Sequence, residues 1–366
     1  MIWIDTQPAF DDAMKRVAAQ PVIAVDTEAD SLHSYFDKVC LIQISIPGED
    51  LIIDPLRNFN LGAFGAIMAD SGITKVLHGA DYDLRILNRD FGFTISNIID
   101  TSICAQLLGL EAIGLAALLQ RYFAITVDKT HQRADWAMRP LPRSMLEYAA
   151  SDTRNLIALA DRMREELIAI GRWEWAKEEF ARLEQIRFAE KETNGEGFRR
   201  LKGINGLDRR SLAIVRALYD WRDELARAAD RPPFKIFSND LIVDIAKAKA
   251  NTPEALNGMK SFPPPIRRRY EREIVRRVGE ALALPEEALP EKGEAKPWMR
   301  DKATESRIAK LKTVRDKKAK ELKIDPGVLA PKHVLSAIAT TRNLDEVPAM
   351  REWQKRVVGD DLMRSL

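Results

Sequence analysis

The sequence predicts a mixed-sheet α/β domain followed by two small all-α domains. Three observations carry that expectation. Over the first ~120 residues, short runs rich in Ile and Val alternate with amphipathic stretches. Beyond Leu141, strand signals become scarce. The remaining text is helical in pattern and punctuated by Asn194-Gly195, Pro232-Pro233, Pro263-Pro264-Pro265, Pro297 and Pro326-Gly327. At 366 residues the chain has room for two or three domains of roughly 150 residues each.

Taken in order, residues 2–4, 22–25, 39–46, 51–53 and 76–77 read as strands. Pro47-Gly48 before Glu49-Asp50 reads as a hairpin turn, so part of the sheet is antiparallel. Residues 11–19, 61–69, 82–88, 101–108 and 115–122 read as helices. Hairpin-linked strands therefore come first and helix-linked strands later. Pro142 can open a helix, residues 144–170 carry helical periodicity, and Gly171 is a stop. The expected division is an α/β domain over 1–190, a helical domain over 200–285, an extended Pro/Glu/Lys linker over 286–302, and a second helical domain over 303–366. YDWRDELA (219–226) returns loosely as TVRDKKAKEL (313–322), which suggests that the two helical domains are duplicates.

Hydrophobic residues at 46% and charged residues at 31% exclude a wholly disordered chain. No apolar run approaches the ~18–20 residues of a membrane span, and MIWIDTQPAF lacks the basic and apolar regions of a secretory signal. Cys40 and Cys104 are the only cysteines, which excludes a disulfide framework and a structural zinc cage. Both lie in apolar text and are expected as buried free thiols in a reducing cytoplasm. The net charge of +2 hides a split: residues 1–170 carry 15 Lys and Arg against 23 Asp and Glu, and the rest carry 42 against 32. An acidic front suits a metal-binding carboxylate cluster, and a basic back suits a polyanion, although charged runs are commonly solvated helix faces.

Three groups of residues carry chemistry. Ile23-Ala24-Val25 leads into Asp26-Thr27-Glu28. Side chains two apart on a strand share a face, and two carboxylates there repel unless a cation lies between them. The same pair also reads as two solvated acids at a strand end. In Lys75-Val76-Leu77-His78-Gly79-Ala80-Asp81-Tyr82-Asp83 a strand runs through a short loop into a helix. Asp81 suits the N-cap, which leaves Asp83 to face the strand ends. Tyr148 and Asp152 are four apart, so on a helix they share a face.

In this chain order the three groups resemble the DEDD superfamily of 3′→5′ exonucleases, in the branch whose third motif carries Tyr. The segment from Asp128-Lys129 through Asp135-Trp136-Ala137-Met138-Arg139-Pro140-Leu141 resembles the ribonuclease D family in particular. Trp221-Arg222-Asp223-Glu224-Leu225-Ala226, followed by Pro232-Pro233, resembles an HRDC domain. Gly79 stands where the family more often has Ala. The resemblance implies a ribonuclease H-like mixed sheet in an α/β exonuclease domain, followed by two small HRDC-like all-α domains.

It also implies two-metal phosphodiester hydrolysis. Asp26, Glu28 and Asp152 would hold one ion, Asp26 and Asp83 the other, and Tyr148 would orient the attacking water. All of these ligands are oxygens, which suits Mg²⁺ or Mn²⁺. Lys129 and Arg139 are candidates for contacts to the substrate backbone, or equally for salt bridges holding their loop. Arg267, Arg268, Arg269, Arg272, Arg276 and Arg277, with Lys310, Lys312, Arg315, Lys317, Lys318 and Lys320, would grip phosphates or form a solvated face. The expected partner is RNA, tRNA precursors being the family's usual substrate, bound by a monomer. A DNA-directed exonuclease and an inactive nucleic-acid-binding scaffold are the competing readings.

Overall fold

The computed structural model describes residues 1–57, 59–128, 130–189, 195–291 and 301–366. A six-stranded sheet contains β1 (Ile2–Ile4), β2 (Val22–Ala29), β3 (Val39–Ile46), β4 (Glu49–Ile53), β5 (Thr74–Leu77) and β6 (Ile98–Asp100) in the order β1-β4-β3-β2-β5-β6. β2–β3 and β3–β4 pair antiparallel, and the other neighbours pair parallel. Gly48 turns the β3–β4 hairpin at φ 82°. Central β3 is buried at every position because both faces of the sheet are covered, which is why VCLIQISI reads as a nearly continuous apolar run.

Helices α1 (Gln7–Ala18), α2 (Gly62–Ala69) and α3 (Asp81–Phe91) bury Phe10, Met14, Phe64, Met68, Leu84 and Leu87 with Val25, Ile42, Ile44 and Ile53 of the sheet. Helices α4 (Thr101–Leu108), α5 (Leu115–Phe123), α6 (Arg143–Arg154), α7 (Leu156–Ala169) and α8 (Trp173–Leu183) complete the α/β part. The structure departs from expectation in a few elements. β2 and β5 are longer than read, and β2 includes Asp26 and Glu28. β6 has three residues, too few to show a pattern. The helix expected over 144–170 is two helices, broken at Asn155 (φ −109°, ψ 2°).

The chain forms two compact units. The second consists of Asp30–Asp37 and the segment that begins at Ala189 and holds α9 (Arg209–Ala228), α10 (Pro233–Ile236), α11 (Asn239–Ala248), α12 (Pro253–Asn257) and α13 (Pro264–Ala283). Trp221, Phe237 and Tyr270 meet edge-on or tilted in its core, with centroids 5.6–6.0 Å apart. Tyr35 donates to Asp223 at 2.8 Å, so residues of the 30–37 loop are built into this unit. The first half of the expected linker is also held here. Arg209 donates to the carbonyls of Glu286 and Leu289, and Leu289 is buried. Residues 292–300 of that linker lie outside the described residues.

The suspected repeat has structural support in α14 (Lys302–Leu322), α15 (Pro326–Leu329) and α16 (Lys332–Thr341). Asp208 caps α9 and Asp301 caps α14. Buried Arg222 donates to the Phe237 carbonyl at 3.0 Å, and buried Arg315 donates to the Ala330 carbonyl at 3.0 Å. Lys249 and Arg342 close α11 and α16 in the left-handed region, at φ 49° and 55°. Positions 208, 222 and 249 map to 301, 315 and 342, a constant shift of 93 residues.

The second copy does not stand apart as a separate domain over 303–366. Its apolar side chains, among them Leu311, Leu329, Leu335, Ile338 and Trp353, share one core with Leu107, Leu118, Leu159 and Met163 of the α/β unit. Trp353 stacks on Trp175 of α8, with centroids 4.8 Å apart. Glu178 and Glu179 accept its backbone and indole N–H. Arg172 spans the carbonyls of Leu107 and Leu322 at 2.7 and 2.6 Å. A Cβ at Gly109 would lie 1.7 Å from the Lys323 carbonyl oxygen, so only glycine permits this approach.

Candidate active site

Asp26 and Glu28 alternate with Thr27 along β2 and stand opposite Gln43 and Leu41 of β3. α6 crosses this sheet face and carries Tyr148 and Asp152 one turn apart. Carboxylate oxygens of Asp26, Glu28 and Asp152 lie within 4.8 Å of one another. Asp83, only 7% exposed, comes from the first turn of α3 and accepts from the Thr27 hydroxyl. All four carboxylates and Tyr148 line one cleft of about 590 Å³, with His78 and Tyr82.

Asp83 faces this cluster, whereas Asp81 lies outside and pairs with Arg85 at 2.8 Å. Asp81 is not the cap of its helix, because α3 begins at Asp81 with Ala80 in the cap position. Asp100 at the end of β6 performs the anchoring. It caps α4 through Ser102 and Ile103 and accepts from the backbone N–H of Gly79 and Ala80, which fixes the entry to α3. His78 bonds Thr101 at 2.9 Å. Sequence reading missed Thr27, Gln43 and Asp100 because their partners are distant in the chain.

Arg139 is not available to substrate. Its donors go to Asp54 at 2.7 and 2.8 Å and to the carbonyls of Cys40, Trp136 and Met138, so it braces the loop before α6. Lys129 lies outside the described residues. Of the basic run, Arg315 is buried, and Arg276 and Arg277 pair with Glu273. Arg268, Arg269 and Arg272 on α13, and Lys310, Lys312, Lys317 and Lys320 on α14, are exposed.

The cluster is electrostatically strained. Burial, and then the neighbouring charges of Asp83, Glu28 and Asp152, push Asp26 well above the usual carboxylate range. Burial, with Asp152 and Asp83, pushes Glu28 up to about 9. Burial pushes Asp152 up to about 7 and also raises Asp83. Convergent oxygen donors that repel one another fit a hard divalent cation. The sign of the stability effect follows. Between the ordinary carboxylate range and these raised values the folded chain holds protons that the unfolded chain has released, so metal-free stability falls as pH rises. A divalent ion substitutes for those protons, and its stabilisation grows with pH. The rise in melting temperature caused by Mn²⁺ over EDTA should therefore be larger at about pH 8 than at about pH 5.5. Equal rises would place the ion elsewhere.

A six-stranded mixed sheet with two acids on β2, a third in the first turn of α3 and a Tyr-x-x-x-Asp helix is the arrangement of a 3′→5′ exonuclease. Residues 1–168 match the family model described as 3′-5′ exonuclease, and residues 211–278 match the HRDC domain. The chain is 27% identical to ribonuclease D of Acidiphilium cryptum, over 99% of this chain and 92% of that protein. It is 29% identical to ribonuclease D of Desulfotalea psychrophila, over 98% and 96%. The crystal structure of Escherichia coli RNase D, described as an exoribonuclease involved in structured RNA processing, superposes with a TM-score of 0.74 at 26% identity, covering 100% of this chain and 98% of that one. The chain resembles ribonuclease D over nearly its whole length. It is a hydrolytic 3′→5′ exoribonuclease whose family depends on divalent metal. Among the described residues no helix is long and apolar enough to cross a membrane.

Proposed function

We propose that this exoribonuclease trims the 3′ ends of structured RNA, tRNA precursors among them, releasing nucleoside 5′-monophosphates by two-metal hydrolysis as a cytoplasmic monomer. The observation that carries the reading is the convergence of Asp26, Glu28 and Asp152, with Asp83 against Thr27 beside them. Asp26, Glu28 and Asp152 hold one ion, and Asp26 with Asp83 holds the other, Mg²⁺ or Mn²⁺. Bound there, the ions would neutralise the phosphodiester and acidify the attacking water.

The chain's own residues supply position. Burial, and then Asp152, Glu28 and Asp26, push the Tyr148 phenol above its ordinary value. It therefore keeps its proton and orients the water by hydrogen bonding rather than acting as a base. Burial lowers the His78 pKa, so its ring lines the cleft uncharged. The exposed arginines of α13 and lysines of α14 supply sequence-tolerant, salt-dependent phosphate contacts.

Uniformly labelled RNA and matched DNA, each with Mg²⁺, Mn²⁺ or EDTA, test the proposal. Mononucleotides should be released from RNA, more slowly from DNA, and not in EDTA. Tyr148→Phe should slow turnover by ~10²–10⁴-fold and leave metal binding intact. Equal rates on both polymers would remove the RNA preference. Release in EDTA would remove the two-metal mechanism, and an unchanged Tyr148→Phe rate would make Tyr148 a packing residue.

A further inference from the structure

Behind the carboxylates lies a polar side chain that the proposed chemistry leaves unexplained. Gln43 is 0% exposed in the middle of β3, flanked by Asp26 of β2 and Ile52 of β4 in direct register. Directly opposed residues of an antiparallel pair project from the same face, with Cβ atoms about 4.5–5.5 Å apart. The Gln43 carboxamide therefore stands next to the carboxylate that both proposed ions share. Neither its Nε2 nor its Oε1 has a hydrogen-bond partner.

The indole Nε1 of Trp136, a residue 1% exposed, is also without a partner. Trp136 packs in one cluster with Leu41 and Ile52, the neighbours of Gln43 on that face, and with Ala149 and Ala150 of α6. Its ring lies 6.0 Å from that of Tyr148. The next polar residue along the same face of β3 is satisfied, since the Ser45 hydroxyl bonds Asp50 and Thr153, each at 2.7 Å. Buried polar groups in native proteins are paired, and each one left unpaired costs about 1–3 kcal/mol. A glutamine kept there for packing alone would be outperformed by methionine, which has a similar shape and no polar atoms.

Resting on the two-metal reading above, we infer that Gln43 is a positioning residue for the shared ligand Asp26. Its Nε2–H, which has no partner in this structure, would donate to the Asp26 carboxylate once Asp26 is held as a metal ligand. A carboxylate has about four lone-pair positions. Filling one from the protein side leaves the rest aimed at the ions, the role that outer hydrogen bonds perform for metal ligands generally.

Gln43→Met tests this with three readouts: Mn²⁺ affinity by electron paramagnetic resonance, kinetics on RNA, and the melting temperature in EDTA. The expected result is Mn²⁺ affinity weakened about 10–100-fold. kcat should fall at fixed metal, KM for RNA should stay unchanged, and excess Mn²⁺ should restore part of kcat. The EDTA melting temperature should be unchanged or raised. A folded Gln43→Met variant with wild-type Mn²⁺ affinity and kcat overturns the inference. If Gln43→Met does not fold, Gln43→Leu decides, because it removes the carboxamide and leaves a forked apolar side chain of similar size. Weaker Mn²⁺ binding at an unchanged melting temperature supports the inference, and unchanged binding overturns it. Wild-type protein that neither binds Mn²⁺ nor cleaves would instead defeat the two-metal reading itself.

Discussion

Asp26→Asn is expected to lower kcat by more than about 10³-fold while changing RNA affinity by less than about 3-fold. Asp26 is the carboxylate that feels Asp83, Glu28 and Asp152 together, so it stands where two ions would share a ligand. Asparagine keeps its size and removes its charge. At 1.36 kcal/mol per decade, three decades correspond to about 4 kcal/mol, within the several kcal/mol that metal-borne charge stabilisation supplies. RNA affinity comes mainly from phosphate contacts to exposed basic residues elsewhere, so filter binding should change little. The same substitution relieves repulsion in the metal-free cluster, and its melting temperature in EDTA should rise, while the added stabilisation by Mn²⁺ should shrink. Cleavage surviving at more than a few per cent would show that Asp26 is not the shared ligand.

The residues of this site were unequally legible in the sequence. Asp26 and Glu28 could be read because an Ile-Ala-Val run marks a strand and strand alternation puts both acids on one face. The helical repeat puts Tyr148 and Asp152 on one face, but only their order after the other two motifs singles them out. Asp81 and Asp83 were harder, since both occupy the first turn of α3. Residues two positions apart on a helix differ by about 200° in direction, which sends Asp81 to Arg85 and Asp83 to Thr27. Thr27 and Asp83 are 56 positions apart, and Gln43 meets Asp26 only through strand register. No local pattern encodes such pairings. Arg139 misled because an arginine beside a catalytic segment looks the same whether it serves a phosphate or, as here, Asp54. β6 is too short for any periodicity to appear.

The helical half shows the same limit on a larger scale. An amphipathic pattern says that a helix buries one face, but not against what. The two copies have matching caps and buried arginines, yet the first encloses its own core while the second completes another. The sequence difference lies after the third helix of each copy. The first continues into α13, 20 residues long, whereas the second closes with a shorter helical stretch over 352–364, π-helical at Lys355–Gly359, that carries Trp353 onto Trp175.

Ending the chain at Asp301 should therefore unfold or aggregate the exonuclease unit, although no proposed ligand lies beyond Asp152. The division expected from the sequence, an α/β domain over 1–190 separate from the helical domains, would leave such a chain folded. The core contradicts that division. Removing α14 onward uncovers Leu107, Leu118, Leu159 and Met163 and deletes the partners of Trp175, Glu178 and Glu179. Each large apolar side chain left without cover forfeits about 1.5–3 kcal/mol, and four or five of them match the ~5–15 kcal/mol that holds a whole domain. Melting curves and gel filtration of the shortened protein, with and without Mn²⁺, decide the matter. The expected result is a melting temperature lowered by more than about 10 °C or no cooperative transition, with activity on short and long RNA lost together. Surface variants separate this brace from RNA binding. Lys310→Glu, Lys312→Glu, Lys317→Glu and Lys320→Glu combined change only exposed positions of α14. That protein should keep its melting temperature within a few degrees and its rate on short RNA, while binding to long RNA weakens and its salt dependence flattens. A shortened chain that melts like the full-length protein would show that the second copy is a passenger on the exonuclease unit rather than part of its core.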